Sequence, residues 1–339
     1  MKFGFFVTGT ASASYPELLE QAIYGEELGF DSVWLRERHF NTNPGRNLWP
    51  SPLIVGAYIA AKTTRLRVGI GSRILSLDHP IHIAEDAATL DVISGGRLDF
   101  GIARVGENDL YQQGFGISAQ ETRGRFEEGL DIILQAWTQQ RISYQGKYFQ
   151  IPEVMILPKP IQKPHPPVFV VGRSPESIQM AANKGFPIFI AAAQMIPEVQ
   201  KTQELYWKAL EAAGYPRTHV ELPVNRFVYV AETMAKAKTE MEEPFMAFLN
   251  RGMTSDIKEY FFRSEETLTY ENLFKEACIF GDPDYCIRQI ERLQKEINLK
   301  YLLCTFNYYT IDLKQSLKSM ELFSKYVMPH FKRTRQVKG

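Results

Sequence analysis

The chain is poor in cysteine, carries no net charge and has no long apolar run, and each absence excludes a class of protein. Its three cysteines, at positions 278, 286 and 304, form no CxxC pair and are odd in number, which predicts free thiols in a reducing compartment. The 39 basic and 39 acidic side chains balance, which argues against a nucleic-acid or anionic-membrane surface. No run approaches the roughly 18 apolar residues of a membrane span, and the N-terminus has no signal pattern. We expect a soluble cytoplasmic protein whose partner is a small molecule.

Several catalytic signatures are also missing. There is no HExxH or GxSxG motif, and His79 and His82 have no partners at metal-ligand spacing, so a metal site is not expected. The first turn between strand and helix, residues 9–15, lacks the GxGxxG pattern of a dinucleotide-binding domain.

What the chain does contain is a regular alternation of short apolar segments and amphipathic ones. The predicted strands are residues 2–8, 32–35, 66–72, 98–103, 167–171, 187–191, 221–231 and 301–306, with helices between them. A doubly wound open sheet would give a similar pattern, but the missing GxGxxG favours an α/β (β/α)8 TIM barrel. We predict one domain over residues 1–339.

Two segments depart from this repeat: a hairpin followed by a proline-rich stretch, and residues 251–277. Gly146 lies in the turn of a predicted hairpin, and five prolines among residues 157–167 predict a stiff, extended connector. Residues 251–277 are polar and aromatic and too long for an ordinary loop, which predicts a mobile lid.

A charged cluster follows the second predicted strand directly. Glu37, Arg38 and His39 stand where a barrel places its catalytic groups, at the carboxyl end of a strand. A carboxylate, a guanidinium and an imidazole together indicate a site that handles protons or anions. The alternative is a solvated loop whose charges pair only with each other.

A candidate anion site opens the helix that follows the strand at 167–171. Gly172 allows close backbone approach, Ser174 and Ser177 offer hydroxyls beside the first helical N–H groups, and Arg173 offers a counter-charge. Arg104, just past another strand, reaches the same anion if the two strand ends are neighbours. The alternative is an ordinary helix cap by Ser174.

Two glycines, Gly69 and Gly71, interrupt the third predicted strand. They suggest close approach of a planar ligand; the alternative is a bulge or crowding inside the barrel.

The chain resembles the bacterial luciferase-like family of flavin-dependent monooxygenases over nearly its whole length. The resemblance is carried by the order and spacing of residues 26–34, 37–40, 60–69, 79–80, 84–86, 90–98, 114–116, 158–167, 281–283 and 327–330. It implies a luciferase-like (β/α)8 barrel that binds reduced FMN (FMNH2), reacts it with O2 to a flavin C4a-hydroperoxide, and oxygenates a small organic substrate. It also implies a separate flavin reductase and a homodimer.

Carried over by position, the resemblance puts the flavin phosphate at Arg104, Ser174 and Ser177, and the isoalloxazine against Gly71 and Ser72. The family often has a non-proline cis peptide at the latter position. Glu37 would anchor the site, while Arg38 and His39 would polarise or protonate.

Two departures from the family pattern bear on activity. Arg38 stands where luciferase has a proton-transferring histidine, and arginine stays protonated in proteins. Ala103 stands where luciferase has a reactive cysteine. We therefore expect oxygenation without light emission. Two alternatives stay open: a deazaflavin-dependent hydride-transfer enzyme on the same barrel, and a catalytically silent flavin-binding partner subunit.

Overall fold

The computed structural model of the chain describes residues 1–7, 14–40, 50–105, 110–253, 270–307 and 310–332. Strands and helices alternate along it. In chain order they are β1 (Lys2–Val7), α1 (Tyr15–Glu27), β2 (Ser32–Leu35), α2 (Pro52–Ala60), β3 (Arg67–Ile74), α3 (Pro80–Ile93), β4 (Leu98–Ala103), α4 (Leu110–Phe115), α5 (Thr122–Thr138), β5 (Ile142–Gln145), β6 (Gln150–Val154), β7 (Val168–Val170), α6 (Pro175–Asn183), α7 (Ile196–Ala212), β8 (Pro223–Val230), α8 (Met234–Met253), α9 (Tyr270–Glu276), β9 (Cys278–Gly281), α10 (Pro283–Ile297), β10 (Tyr301–Thr305), α11 (Leu313–Leu322) and α12 (Met328–Lys332).

Most predicted strands are present, but one prediction was wrong and one strand was missed. Residues 187–191 form isolated bridges, one of them between Ile190 and Val224, instead of a strand. Pro187 has no backbone N–H to give to a ladder, which shortens the pairing there. The missed strand is β9, which directly follows the residues predicted to form the lid.

The described residues divide into two compact units. Unit 1 comprises Met1–Val33 together with the chain from Arg173 onward, and unit 2 comprises Trp34–Pro44 and Leu48–Gly172. The single domain predicted over residues 1–339 stays a prediction.

Unit 1 is built on parallel strands in the order β1, β10, β8, β9. Lys2 is in register with Tyr301, Tyr301 with Pro223, and Phe227 with Cys278. Parallel strands are covered on both faces, so nearly every side chain of β8 and β10 is buried. The three cysteines of the chain lie here as free, buried thiols, as predicted. Burial raises the pKa of each of them, which keeps them protonated.

Unit 2 carries β7, β4, β3 and the end of β2, again parallel. Its largest buried side chain, Trp34, packs edge-on against Phe169 with ring centroids 5.1 Å apart. Gly69 makes this possible, because a β-carbon on Gly69 would overlap the Trp34 indole. Crowding by the Trp34 side chain therefore explains the glycine at position 69.

Two charged residues from the segment 90–98 hold unit 2 together. The buried carboxylate of Asp91 accepts the backbone N–H groups of Ile161 (2.8 Å) and Gln162 (3.0 Å), which pins the proline-rich connector. Arg97 donates to the carbonyls of Ser94, Leu66 and Ala60. These motif residues stabilise the fold; they satisfy backbone groups that helix and strand ends leave unpaired.

The predicted hairpin is confirmed. Strands β5 and β6 pair antiparallel, and the N–H of Gly146 donates to the carbonyl of Phe149 at 2.9 Å to close the turn. The predicted lid, residues 251–277, lies mostly outside the described residues; its first residues continue α8 and its last ones form α9. Within the described ranges, no helix is long and apolar enough to cross a bilayer.

Candidate active site

The charged segment after β2 lies beside the carboxyl end of β3 in unit 2. The N–H of Glu37 donates to the carbonyl of Ser72 at 3.2 Å. Residues proposed for catalysis and residues proposed to face the isoalloxazine therefore come together. The carboxyl ends of parallel strands are where α/β enzymes place their active sites.

The peptide bond between Gly71 and Ser72 is cis, and both residues are buried. The ladder between β3 and β4 shifts register between Ile70 and Arg73. Such a bulge re-aims the side chains that follow it. Arg73 is the first residue of β3 that pairs with β4 after this shift.

The carboxylate of Glu37 is the centre of the site. Its side chain is 0% exposed. One oxygen, Oε1, is bonded by Arg73 Nη1 and lies 2.7 Å from His39 Nε2. The other, Oε2, accepts the N–H of Ile74 at 2.8 Å. A buried carboxylate needs paired charge and hydrogen bonds, and Glu37 has both.

Arg73 extends this network away from β2. Its second terminal nitrogen, Nη2, donates to Asp78 Oδ2 at 2.6 Å, and Asp78 Oδ1 accepts the N–H of His79 at 2.6 Å. Sequence reasoning missed Arg73. The only signal was a second cation, after Arg67, in a strand whose remaining residues are apolar apart from Ser72, because a charge placed there needs a partner.

His39 is part of a cluster of four rings, which we call the aromatic cluster: His39, Phe40, Tyr111 and Phe115. Its backbone N–H donates to the hydroxyl oxygen of Tyr111 at 3.2 Å. Its ring lies edge-on to Phe115, with centroids 4.9 Å apart, and to Tyr111, with centroids 5.5 Å apart.

Phe40 completes the cluster from an uncommon backbone conformation. Its φ is 47°, in the left-handed region that residues other than glycine rarely adopt. Its ring covers Gly114, where an added β-carbon would overlap the ring. Phe40 and Phe115 stay 48% and 39% exposed, so the cluster presents an apolar surface beside His39.

Arg38 lies between Glu37 and His39 in the chain and is half-buried. Among the described residues it has no hydrogen-bond or ion-pair partner, whereas Glu37 and His39 are bonded to each other. The sequence left open a loop whose charges pair only with each other. Glu37 and His39 do pair in this way, but Arg38 does not.

Ser174 and Ser177 come together at the start of α6, in unit 1. Ser174 Oγ accepts the N–H of Ser177 at 3.2 Å, and the two hydroxyl oxygens are 3.1 Å apart. Ser174 is thus the helix cap, with Pro175 in the first turn. Its hydroxyl and that of Ser177 stand at the positive end of the helix dipole.

Two further residues proposed for the phosphate, Arg104 and Gly172, lie just past the ends of β4 and β7 in unit 2. The N–H of Val171 donates to the carbonyl of Ile102 at 2.8 Å, so these two strands end side by side. Arg104 is exposed and Gly172 half-buried just beyond them; Arg173, half-buried, follows in the chain. Whether Arg104 joins Ser174 and Ser177 stays a prediction.

His79 serves the backbone. Its Nδ1 accepts the N–H of Ile81 at 3.3 Å and so caps α3, and burial lowers its pKa. In the part of the chain that the structure describes, no three His, Cys, Asp or Glu side chains group as metal ligands.

Repeated units of parallel strand and helix, with a cluster of titratable and basic side chains at the strand ends, define an α/β enzyme-type fold with its site at the carboxyl edge of the sheet. Residues 1–297 match the model of the luciferase-like monooxygenases. The chain belongs to this family, and the luciferase-like (β/α)8 class predicted from the sequence is confirmed.

Relatives and solved structures agree with this assignment. The chain is 29% identical over 252 residues to the oxygenase component of a flavin-dependent trigonelline monooxygenase of Acinetobacter baylyi, covering 72% of this chain and 69% of that protein. It is 26% identical to an alkanal monooxygenase alpha chain of Photorhabdus luminescens, covering 98% of both. An uncharacterized protein, y4vJ of Sinorhizobium fredii, is 33% identical over 174 residues, which are 51% of this chain and 48% of that protein.

Among solved structures, the monooxygenase RslO1 of Streptomyces bottropensis superposes with a TM-score of 0.85 at 27% identity, covering 98% of this chain and 100% of that one. The oxygenating constituent of a Pseudomonas putida 3,6-diketocamphane monooxygenase, in complex with FMN, gives 0.80 at 22% identity over 97% and 98%. A coenzyme F420-dependent reductase of Methanopyrus kandleri gives 0.75 at 17% identity over 98% and 100%. The last two show the fold alone.

Proposed function

We propose that the protein is the oxygenase of a two-component flavin-dependent monooxygenase, which takes reduced FMN from a separate flavin reductase and uses O2 to oxygenate a small organic substrate. The observation that carries this proposal is the Glu37–His39 pair bonded beside the Gly71–Ser72 peptide, in a chain of this family. The flavin, when bound, supplies the electrons and the oxygenating reagent.

The donor set at α6 fits the phosphate of FMN. Two neighbouring hydroxyls at a helix N-terminus, with Gly172 and Arg173 just before it, offer short hydrogen bonds and a favourable dipole to a dianion. In this proposal Ser174, Ser177, Gly172, Arg173 and Arg104 hold the phosphate. Gly71 and Ser72 would lie against the ring system.

The chain's own residues then divide the work. Glu37 orients His39, because its carboxylate is buried and bonded on both oxygens. Arg38 supplies a fixed positive charge for an anion that forms at the ring or for a carboxylate of the substrate, because a guanidinium does not give up its proton. Ala103, opposite Ile74 in the ladder, offers no thiol, and we propose oxygenation without light.

The aromatic cluster points to the kind of substrate. Exposed rings of Phe40 and Phe115 beside the imidazole of His39 favour a substrate with an apolar ring, since aromatic faces gain both burial and stacking from such a partner. Carbohydrates and other strongly polar small molecules fit this surface less well.

Flavin titration tests the phosphate and the cofactor together. The protein is titrated anaerobically with reduced FMN, reduced riboflavin and the reduced deazaflavin F420. We expect FMN to bind more tightly than riboflavin. In the double variant Ser174→Ala with Ser177→Ala, affinity for FMN should fall at least about tenfold, because hydrogen bonds to a charged group are lost, while riboflavin affinity stays the same.

Thr233→Ala is the matched control. Thr233 Oγ1 accepts the N–H of Lys236 at 3.2 Å, the same cap distance as at Ser174, but at α8. It should leave both affinities unchanged. Unaltered FMN binding by the double variant would show that Ser174 and Ser177 at the start of α6 do not bind the phosphate. Tight binding of F420 without any binding of FMN would contradict the proposed monooxygenase and favour the deazaflavin-dependent hydride-transfer enzyme.

The oxygenation itself is tested with chemically reduced FMN, 18O2 and a panel of apolar ring compounds, read by mass spectrometry. One labelled oxygen atom in a product supports the proposal. Flavin binding without any labelled product across the panel would favour the silent-subunit alternative. Light scattering during gel filtration checks the homodimer, which we also propose.

A further inference from the structure

The three donors that meet at Glu37 determine which nitrogen of His39 carries its proton. Arg73 is a donor only, and so is the backbone N–H of Ile74. With both oxygens of the buried carboxylate facing groups that can only donate, Glu37 is a hydrogen-bond acceptor at each of them. The 2.7 Å contact between Glu37 Oε1 and His39 Nε2 is then a bond in which Nε2 donates.

It follows that neutral His39 holds its hydrogen on Nε2 and its lone pair on Nδ1. Within the described residues Nδ1 has no hydrogen-bond partner, and the ring borders the exposed part of the aromatic cluster. We propose that Arg73 is a positioning residue: through Glu37 it locks His39 in the Nε2–H tautomer and so presents Nδ1 as the hydrogen-bond and proton acceptor toward a bound substrate. The substrate's identity as the occupant rests on the proposed function; the tautomer does not.

Arg73 is built for this role by its surroundings. Asp78 holds the second terminal nitrogen at 2.6 Å, so the guanidinium is clamped between two carboxylates and cannot rotate away from Glu37. Arg73 directly follows the register shift in β3, and its side chain reaches Glu37. Without Arg73, Glu37 Oε1 loses the donor that keeps it an acceptor. Glu37 can then hold a proton of its own and donate it to Nε2, which places the hydrogen of His39 on Nδ1.

Histidine ring NMR tests the proposal without flavin, substrate or turnover. The full chain is labelled with 15N in the imidazole rings; six histidines give six spin systems, and His39→Asn assigns the one of interest. The parent should show a protonated Nε2 and an unprotonated Nδ1 at His39. Arg73→Met should replace this pattern by a tautomer mixture or an imidazolium, and Arg73→Lys, which keeps a cation, should restore it.

Arg67→Met is the matched control, since Arg67 lies on the same strand and is also paired with a carboxylate, Asp99 Oδ1, at 2.6 Å. It should leave the His39 signals as in the parent. A parent spectrum with the proton on Nδ1 would overturn the proposal before any variant is made. So would an Arg73→Met spectrum identical to the parent's. Failure of FMN binding would instead overturn the proposed function and leave the tautomer assignment standing.

Discussion

Replacing Glu37 with glutamine keeps the shape of the side chain and removes the charge on which the site is centred. Three donors converge on the carboxylate: Arg73 and His39 at Oε1 and the Ile74 N–H at Oε2. A glutamine has one acceptor oxygen and an NH2 group in place of the other. At least one donor is therefore left facing another donor in a buried place.

The size of the effect follows from these contacts. Breaking a buried ion pair by neutralising one partner costs about 3–5 kcal/mol. Asp78 still pairs with Arg73 at 2.6 Å, so we expect the lower end, about 3 kcal/mol. At about 2.1 cal/mol/K of unfolding entropy per residue, 339 residues give roughly 0.7 kcal/mol/K, and the melting temperature should fall by roughly 4 °C.

Differential scanning calorimetry measures the shift, with Glu153→Gln as the control. Glu153 also pairs with an arginine, Arg141, at 3.2 Å, but both side chains are more than half exposed. Exposed pairs contribute little, so this control should stay within about 1 °C of the parent. If Glu37→Gln also melts within about 1 °C of the parent, the Glu37 carboxylate is not a buried group that pairs with Arg73 and His39.

Two further substitutions probe the packing of each unit. Arg226 is 1% exposed, burial lowers its pKa to about 10, and its Nε and Nη2 have no hydrogen-bond partner among the described residues. Arg226→Met should raise the melting temperature, because an apolar side chain of similar volume replaces a buried charge that has no ion-pair partner there. A lower melting temperature would contradict this reasoning. Gly69→Ala should destabilise the protein by about 1–3 kcal/mol in urea unfolding, because the methyl group overlaps the Trp34 ring. Gly129→Ala in α5 is the control and should not destabilise the protein, because its β-carbon would lie 3.9 Å from its nearest neighbour, Pro80. Equal effects of the two substitutions would refute the crowding at Gly69.

The features that sequence reasoning found are those with a local signal. The hairpin around Gly146 was predictable because a glycine turn between apolar segments is a short-range pattern. The helix caps were predictable for the same reason: Ser174 before Pro175 is a start signal wherever the helix ends up. Strand β9 and the isolated bridge at Ile190 were not predictable, because both depend on pairing with β8, which no local pattern shows.

The candidate site shows the same division. The cluster Glu37–Arg38–His39 was visible as charges at the end of an apolar strand. Its internal roles were not, since Arg73 and Tyr111 reach it from 36 and 72 residues away along the chain. The sequence made Glu37, Arg38 and His39 equal candidates. The structure separates a buried carboxylate, a cation with no partner among the described residues, and an oriented imidazole.

By itself, then, the sequence of this protein determined its α/β repeat, its family and the segments where chemistry gathers, because strand and helix periods and motif spacing are properties of neighbours in the chain. Only the tertiary structure decided that Arg73 clamps Glu37, that Trp34 fills the place of a Gly69 side chain, and that His39 stands against exposed rings. Those outcomes depend on which side chains long-range strand pairing brings within a few ångströms of each other, and no local pattern encodes that.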